Sequence, residues 1–299
     1  MELILSILAG VGLFLYGMNL MSDGLQKVAG QKMRDVLEKL TKSSIMGLLL
    51  GIIFTGIIQS SNATTVLVVS FVNSGIMKLS QSVGVIMGAN IGTTVTGQLI
   101  SFKLDAIAPF FIIAGVILVM FIKKPMAKRI GEVVLGFGIL FFGMSTLSSS
   151  VKHLNQFAAV KTLFGSVTNP FLAVLIGFVL TSILQSASAS VGILIVLASS
   201  GLIHPDICYY IIMGCDIGAC GSAVLSSLGG NKDAKRAALI HLSFNMIGTV
   251  IVMILLAVAG NPIRSAIHGL TASIADTGLR AGRDVANINS ILKVSQVII

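Results

Sequence analysis

Gln59, Ser60, Ser61 and Asn62 stand inside apolar sequence, between "GLLLGIIFTGII" and "VLVVSFV", and Gln185, Ser186 and Ser188 stand in a second such stretch, "QSASASV". Polar side chains in so apolar a run suit a break, where one helix ends and another begins. The beginning helix presents unbonded N–H groups and the positive end of its dipole, which together form an anion site. Ser60, Ser61 and Asn62, with Ser186 and Ser188 in the second stretch, are N-cap residue types and are the expected anion ligands. The ending helix presents carbonyl oxygens. With Gln59, Gln185 and the hydroxyls of Thr64 and Ser190, these suit a hard cation such as sodium.

The two stretches are copies. Sliding the sequence along itself by 126 residues places "GIIFTGIIQSSNATT" (51–65) on "GFVLTSILQSASASV" (177–191), and "GLFLYGM" (12–18) on "GILFFGM" (138–144). Over 47–101 against 173–227, 16 of 55 positions are identical without a gap. Apolar bias alone does not put glutamines, serines and glycines in register, so this reads as a duplication with a unit of about 126 residues. The expected division is 1–126 for the first repeat, with its break inside 44–73, and 127–299 for the second, with its break inside 170–199.

A second shared motif pairs "GANIGTT" (88–94) with "GCDIGAC" (214–220). Gly88 and Gly92 permit close packing or local unwinding, and Asn90, Thr93 and Thr94 offer further oxygens for a cation. Asp216 replaces Asn90 in the second copy. An acid deep inside an apolar run is a functional residue by default, here a sodium ligand or a protonatable site. No Lys or Arg occurs in either polar tip or in the spans read beside it, so a multivalent anion held there needs co-bound cations.

The elements that must position these residues are membrane helices. Of 299 residues, 55% are hydrophobic and only 10% charged, which excludes a soluble domain of this size. Long apolar runs rather than ten-residue alternation favour helices over a β-barrel. Spans are expected at 3–21, 83–101, 106–122, 132–149, 207–228 and 237–259, with a last one starting near 284. The first is not a secretory signal, since no basic residues precede it and no cleavage site follows. The stretch 44–73 is too long for one crossing, and each arm is too short to cross alone. A re-entrant hairpin broken at Gln59–Asn62 fits. Each unit then holds three crossings and a hairpin; three is odd, so the two repeats have inverted topology.

The basic residues agree. Under this arrangement thirteen Lys and Arg, from Lys27–Lys42, Lys78, "KKPMAKR" (123–129) and "NKDAKR" (231–236), fall on one side, and six fall on the other. The richer side is cytoplasmic. This places the N-terminus outside and the C-terminus inside a plasma membrane, the inner membrane of a bacterium. A single crossing through 44–73 loses the skew. The net charge of +9 thus reports topology and not a nucleic-acid partner.

Inverted repeats with broken helices are the pattern of a secondary transporter, and the residues support cation-coupled import of an oxyanion. At this point the paired Gln-Ser-Ser breaks, the Gly-Ala-Asn-Ile-Gly-Thr-Thr stretch and their spacing resemble the sodium–phosphate cotransporter family, type II and its bacterial relatives, over nearly the whole chain. The resemblance implies that Gln59, Ser60, Ser61, Gln185 and Ser186 hold inorganic phosphate and sodium, with Asn90, Thr93 and Thr94 beside the ion sites. It implies alternating access within the lipid bilayer, sodium as the coupling ion and no cofactor. Three departures stand out. Ala187 replaces the second serine of the motif, Asp216 an asparagine, and Ala219 and Cys220 two threonines, which makes the two halves of the site unequal. Many bacterial relatives carry a cytoplasmic PhoU-like regulatory domain after the membrane part. This chain stops at "SQVII" inside a last span and reads as truncated.

The other features have plainer readings. His241 and Asn245 share a helical face near a cytoplasmic end and suit packing and capping. Lys27–Lys42 suits an interfacial amphipathic helix. Cys208, Cys215 and Cys220 suit small buried residues, and the scattered methionines suit packing. An intramembrane serine hydrolase needs a base that no histidine supplies. An anion channel, a carrier for arsenate or sulfate, and proton coupling are the alternatives to sodium–phosphate import. The sequence leaves a homo-oligomer open.

Overall fold

The computed structural model describes residues 1–41 and 43–299, with all their side chains except those of Gln31, Lys39, Lys161 and Leu163. Thirteen helices and no strand occur among the described residues. They are α1 (Glu2–Leu40), α2 (Ser44–Ile58), α3 (Ser61–Asn73), α4 (Leu79–Gly92), α5 (Thr94–Ser101), α6 (Ala108–Met120), α7 (Pro125–Leu154), α8 (Ala158–Gly165), α9 (Pro170–Leu184), α10 (Ala187–Ser199), α11 (Pro205–Ser227), α12 (Lys232–Gly269) and α13 (Thr277–Ile298). Among the described residues, five stretches are long and apolar enough to cross a membrane: Glu2–Gly30, Leu79–Ser101, Pro125–Leu154, Pro205–Ser227 and Lys232–Gly269. Large apolar side chains such as Phe110, Phe171, Ile183 and Val258 are exposed, as expected where lipid replaces water as the solvent.

Several boundaries differ from the sequence reading. The expected span at 106–122 forms only the 13-residue α6, which is about 20 Å long, because Pro125 starts a new helix at its far end. Lys27–Leu40 is not a separate interfacial helix but about the last four turns of α1; Lys42 lies outside the described residues. The crossing from Leu79 to Ser101 is interrupted at Thr93. α12 bends at Ala259, with φ −126° and ψ 27°, three residues before Pro262, whose ring cannot fit a straight helix and whose missing N–H frees a carbonyl. The last helix, α13, begins at Thr277, earlier than the span expected near 284, and is not among those five stretches; its inner face is polar, burying Asp284, Asn289, Lys293 and Gln296.

The duplication is written into the packing. A Cβ on Gly88 would sit 2.1 Å from the Leu48 carbonyl oxygen, and one on Gly214 would sit 1.9 Å from the Val174 carbonyl oxygen, the same pair of positions shifted by 126. Gly51 against Val85 and Gly177 against Ile211 repeat the pattern. Glycine thus lets α4 lie backbone to backbone, and parallel, with α2, and α11 with α9. Between the repeats, α1 packs along α7. Gly10 meets Leu147, Gly17 meets Leu140, Gly143 meets Phe14 and Gly136 meets Met21. As the number rises along α1 it falls along α7, so the two helices are antiparallel. Each contact also returns with its partners exchanged after the 126-residue shift, as across a two-fold axis.

The two ends of the bundle gather the loops. At one end, Lys27 pairs with Glu132 at 2.8 Å, Arg129 donates to the Lys27 carbonyl, Ser44 donates to the Ser80 carbonyl, and Asn231 bonds Asn73 twice. At the other end, Lys103 pairs with Asp276, and Arg283 bonds Ser101 and stacks on Phe102. His268 there lies between Asp206 at 2.9 Å and Asp284 at 2.8 Å, joining α11, α12 and α13.

Candidate functional site: two helix breaks around one cavity

Both breaks are built alike. α2 ends at Gln59 (φ 61°, ψ 23°) and α9 ends at Gln185 (φ 54°, ψ 26°), the two non-glycine residues with positive φ among the described residues. This conformation is uncommon for a residue with a Cβ and must be held by its surroundings. Each glutamine partly compensates by turning its amide back on its own helix. Gln59 Nε2 donates to the Gly56 carbonyl, and Gln185 Nε2 donates to that of Ser182. The next residue is extended and caps the new helix: Ser60 Oγ accepts from Ala63 N at 3.1 Å, and Ser186 Oγ from Ala189 N at 3.2 Å.

The arms of each break fold back on one another. Thr55 Oγ1 lies 2.8 Å from Thr64 Oγ1, and Thr181 Oγ1 donates to Ser190 Oγ at 2.6 Å. Nine residues of continuous helix would separate each pair by about 13 Å. Thr64 and Ser190, expected on a cation, are thus the buried cross-ties of the two hairpins. They also donate to the carbonyls of Ser60 and Ser186, the ordinary return bond of a hydroxyl in a helix.

The two tips meet. A cavity of about 80 Å³ is lined by Gln59, Ser60, Ser61 and Asn62 of one tip, by Gln185, Ser186, Ala187 and Ser188 of the other, and by Met18, Asn19 and Ser22 of α1. Every residue expected on the anion lines it. Once Ser60 and Ser186 have taken the N–H of Ala63 and Ala189, the first-turn N–H groups of Ser61, Asn62, Ala187 and Ser188 have no acceptor within their own helices. Two positive helix ends therefore converge from the two repeats on one polar space, an arrangement suited to an oxyanion. The halves are unequal: Ala187 stands at the position equivalent to Ser61, and Asn62 Nδ2 donates across the gap to the Gln185 carbonyl at 2.6 Å.

The residues expected on cations divide into two groups. Gln59 and Gln185 both stay at the tip: Gln59 is buried, its Oε1 accepting from Thr96 Oγ1 at 2.6 Å, and Gln185 is exposed. Thr93 lies at the helix interruption, its Oγ1 bonded to the Asn90 carbonyl, and Thr94 opens α5, half-buried. Asn90 and Asp216 do not line the tip cavity. They turn toward α13, where Lys293 Nζ donates to Asp216 Oδ1 at 2.5 Å and to Asn90 Oδ1 at 3.1 Å. This corrects the reading that no basic side chain lies in the neighbouring spans. His241 and Asn245 are also deeper than expected. Both are buried, and Asn245 accepts from Asn90 Nδ2 at 2.9 Å while donating to the His241 carbonyl and to Cys220 Sγ. The cysteines are free and buried, as expected.

Sequence reasoning missed Asn19, Ser22, Thr96, Asn245 in this role, and Lys293. Ser22, whose Oγ donates to the Ile58 carbonyl at the end of α2, follows the repeated "GLFLYGM" by four residues, the one signal that pointed to it. Nothing local distinguished Lys293.

Comparison with known proteins agrees with this architecture. The family model described as Na+/Pi-cotransporter matches the chain twice, over residues 13–149 and 141–278, one match for each copy. "Uncharacterized protein YqeW" of Bacillus subtilis (strain 168) is 34% identical over 262 residues, covering 87% of this chain and 84% of that protein. "Putative inorganic phosphate export protein YjbB" of Escherichia coli (strain K12) is 30% identical over 251 residues; these cover 84% of this chain but only 46% of YjbB. "Sodium-dependent phosphate transport protein 2A" of Mus musculus is 33% identical over 96 residues, 31% of this chain and 15% of that protein. No solved structure matches the chain. With both copies matched and the breaks of both copies facing one cavity, the chain belongs to the Na+/Pi-cotransporter family, whose members are membrane transport proteins for phosphate.

Proposed function

We propose that this protein carries inorganic phosphate across the membrane together with sodium, by alternating access, and that phosphate sits in the cavity between the two breaks. The observation that carries the reading is the convergence of two helix N-termini on that cavity. Four N–H groups, with the hydroxyls of Ser60, Ser61, Ser186 and Ser188 and the amide of Asn62, offer phosphate hydrogen bonds without a fixed positive charge. Sodium at the ends of α2 and α9, near Gln59, Gln185 and their terminal carbonyls, offsets the charge that the dipoles leave.

We read the repeats, 1–126 and 127–299, as inverted in the membrane and the breaks as re-entrant. Antiparallel α1 and α7 with exchanged contacts support this, because a two-fold axis perpendicular to two crossing helices lies in the membrane plane. The α2 and α9 arms have 15 residues each, or about 22 Å, short of the ~30 Å hydrocarbon core. Lys27 lies against Arg129 and Glu132, and Asn231 against Asn73. This supports one basic end, which we assign to the cytoplasm, with the N-terminus outside and the C-terminus inside.

Direction is the remaining choice. The name of YjbB speaks of export and that of the mouse protein of sodium dependence. A sodium symporter imports while the inward sodium driving force exceeds the outward phosphate gradient, and the same site runs outward when it does not. Proteoliposomes loaded without sodium and diluted into sodium phosphate test the proposal: uptake that collapses with sodium replaced by choline supports it, and equal uptake in both salts contradicts it. Arsenate or sulfate added in excess separates phosphate from other oxyanions, and a pH gradient in place of sodium tests proton coupling. Currents far above carrier turnover would point to a channel.

A further inference from the structure

We propose that Lys293 is a built-in cation: its ammonium occupies, at the meeting point of the two repeats, a position whose oxygen ligands would otherwise bind sodium. This deepens the sodium-coupled reading and rests on it for its meaning in transport. Asn90 and Asp216 are the same position of the two copies, 126 residues apart. Their side-chain oxygens converge on one atom, Lys293 Nζ, at 3.1 and 2.5 Å. Lys293 comes from α13, in the part of the second repeat (253–299) that has no counterpart in the first. All three side chains are buried, Lys293 and Asp216 at 1% exposure.

The surroundings orient oxygen toward the cation. Asn245 Oδ1 accepts from Asn90 Nδ2, which turns the Asn90 oxygen to Nζ, and Asn245 is itself fixed by the His241 carbonyl and Cys220. Asp216 Oδ2 has no hydrogen-bond partner among the described residues. Without Nζ, one amide oxygen and one carboxylate oxygen would face the same buried point with a net negative charge, hard oxygen donors that suit a small monovalent cation. A lone carboxylate there is costly to bury, so it needs either a proton or a bound cation. Lysine supplies one that cannot dissociate. The consequence is that this position takes no sodium from solution, and the ion count per phosphate is lower than two unmodified copies would give.

A purely structural bridge between α4, α11 and α13 makes a different forecast, and cation-dependent stability separates the two. Lys293→Ala and the more conservative Lys293→Gln are purified in detergent and unfolded thermally in sodium chloride and in choline chloride at equal ionic strength, without phosphate. If Lys293 stands in for sodium, sodium raises the unfolding temperature of each variant saturably, by about two-fold more than it raises that of wild type. Adding Asp216→Asn to either variant removes the extra rise. A rise no larger than wild type in both variants overturns the proposal, as does failure of both to fold with sodium present. The proposed coupling fails separately: sodium-independent uptake by wild type would refute it and leave this stability readout standing.

Discussion

Gly214→Ala and Gly221→Ala place the same methyl group on the same helix, α11, and should act in opposite directions. At Gly214 the new Cβ would lie 1.9 Å from the Val174 carbonyl oxygen and 2.8 Å from Phe178 N. Both are backbone atoms of α9, so no side chain can swing away. Ordinary contact requires α9 and α11 to separate by about 1.5 Å. Overpacking of this kind costs about 1–3 kcal/mol or more, while the gain in helix propensity from Gly to Ala returns at most ~1 kcal/mol. The expected net loss is about 2 kcal/mol. At Gly221 nothing lies within 4 Å of the added Cβ, so only the propensity gain of ~0.5–1 kcal/mol remains. The difference of about 3 kcal/mol corresponds to unfolding temperatures on the order of 6–12 °C apart, read by thermal unfolding of the detergent-solubilised protein. Because α9 carries Gln185 at its far end, Gly214→Ala should also lower phosphate uptake by up to ~100-fold, the usual effect of a misplaced binding group. Equal shifts for the two variants, or full transport with Gly214→Ala, would refute the backbone-to-backbone packing that we hold responsible for placing the tip.

Thr181→Val removes the bond to Ser190 across the second break and should cost about 1–2 kcal/mol of stability, with Thr55→Val costing a similar amount at the first; a loss at one break alone would show that the cross-ties are not equivalent. Asp276 lies outside the spans, and the Leu279 N–H and then the Lys103 ammonium hold its carboxyl below the usual carboxylate range. Its contribution is complete above that range and disappears as pH falls through the lower folded value, so the unfolding temperature of wild type should approach that of Asp276→Asn as pH drops below about 4; a constant difference down to strongly acid pH contradicts this. Single cysteines replacing Lys128 and Lys103, in a chain whose own three cysteines are buried, should react with an impermeant thiol reagent from opposite faces of the membrane, Lys128→Cys from the cytoplasm; labelling from one face refutes the topology.

Much of this arrangement was legible before any coordinates. The breaks stood out because amides and hydroxyls at membrane depth are costly and here occur twice in register, and the cavity between the tips gathers the very residues that this pattern marks. The glycines aligned at 88 and 214 reported close packing for the same reason. Lys293 was not legible. It lies in a helix of mixed polarity with no counterpart in the first repeat, and its partners are 77 and 203 residues away. A lone lysine in such a helix looks like one at its lipid-facing edge until the packing shows which face is buried. The split of the expected cation ligands had the same origin. Spacing placed Asn90, Thr93 and Thr94 on one segment, but the interruption at Thr93 sends Asn90 toward α13 while Thr96, a full turn later, reaches the tip. α6 fell short of its expected span because hydropathy does not register where Pro125 ends one helix and begins the next.

The most direct test of the central claim is phosphate uptake into proteoliposomes under an inward sodium gradient, comparing wild type with Ser60→Ala/Ser186→Ala. Each substitution removes one N-cap, worth about 1 kcal/mol, and one hydroxyl from the cavity. The account predicts sodium-dependent uptake by wild type and its loss in a double variant that still purifies as a folded protein. Undiminished uptake by that double variant would contradict the account.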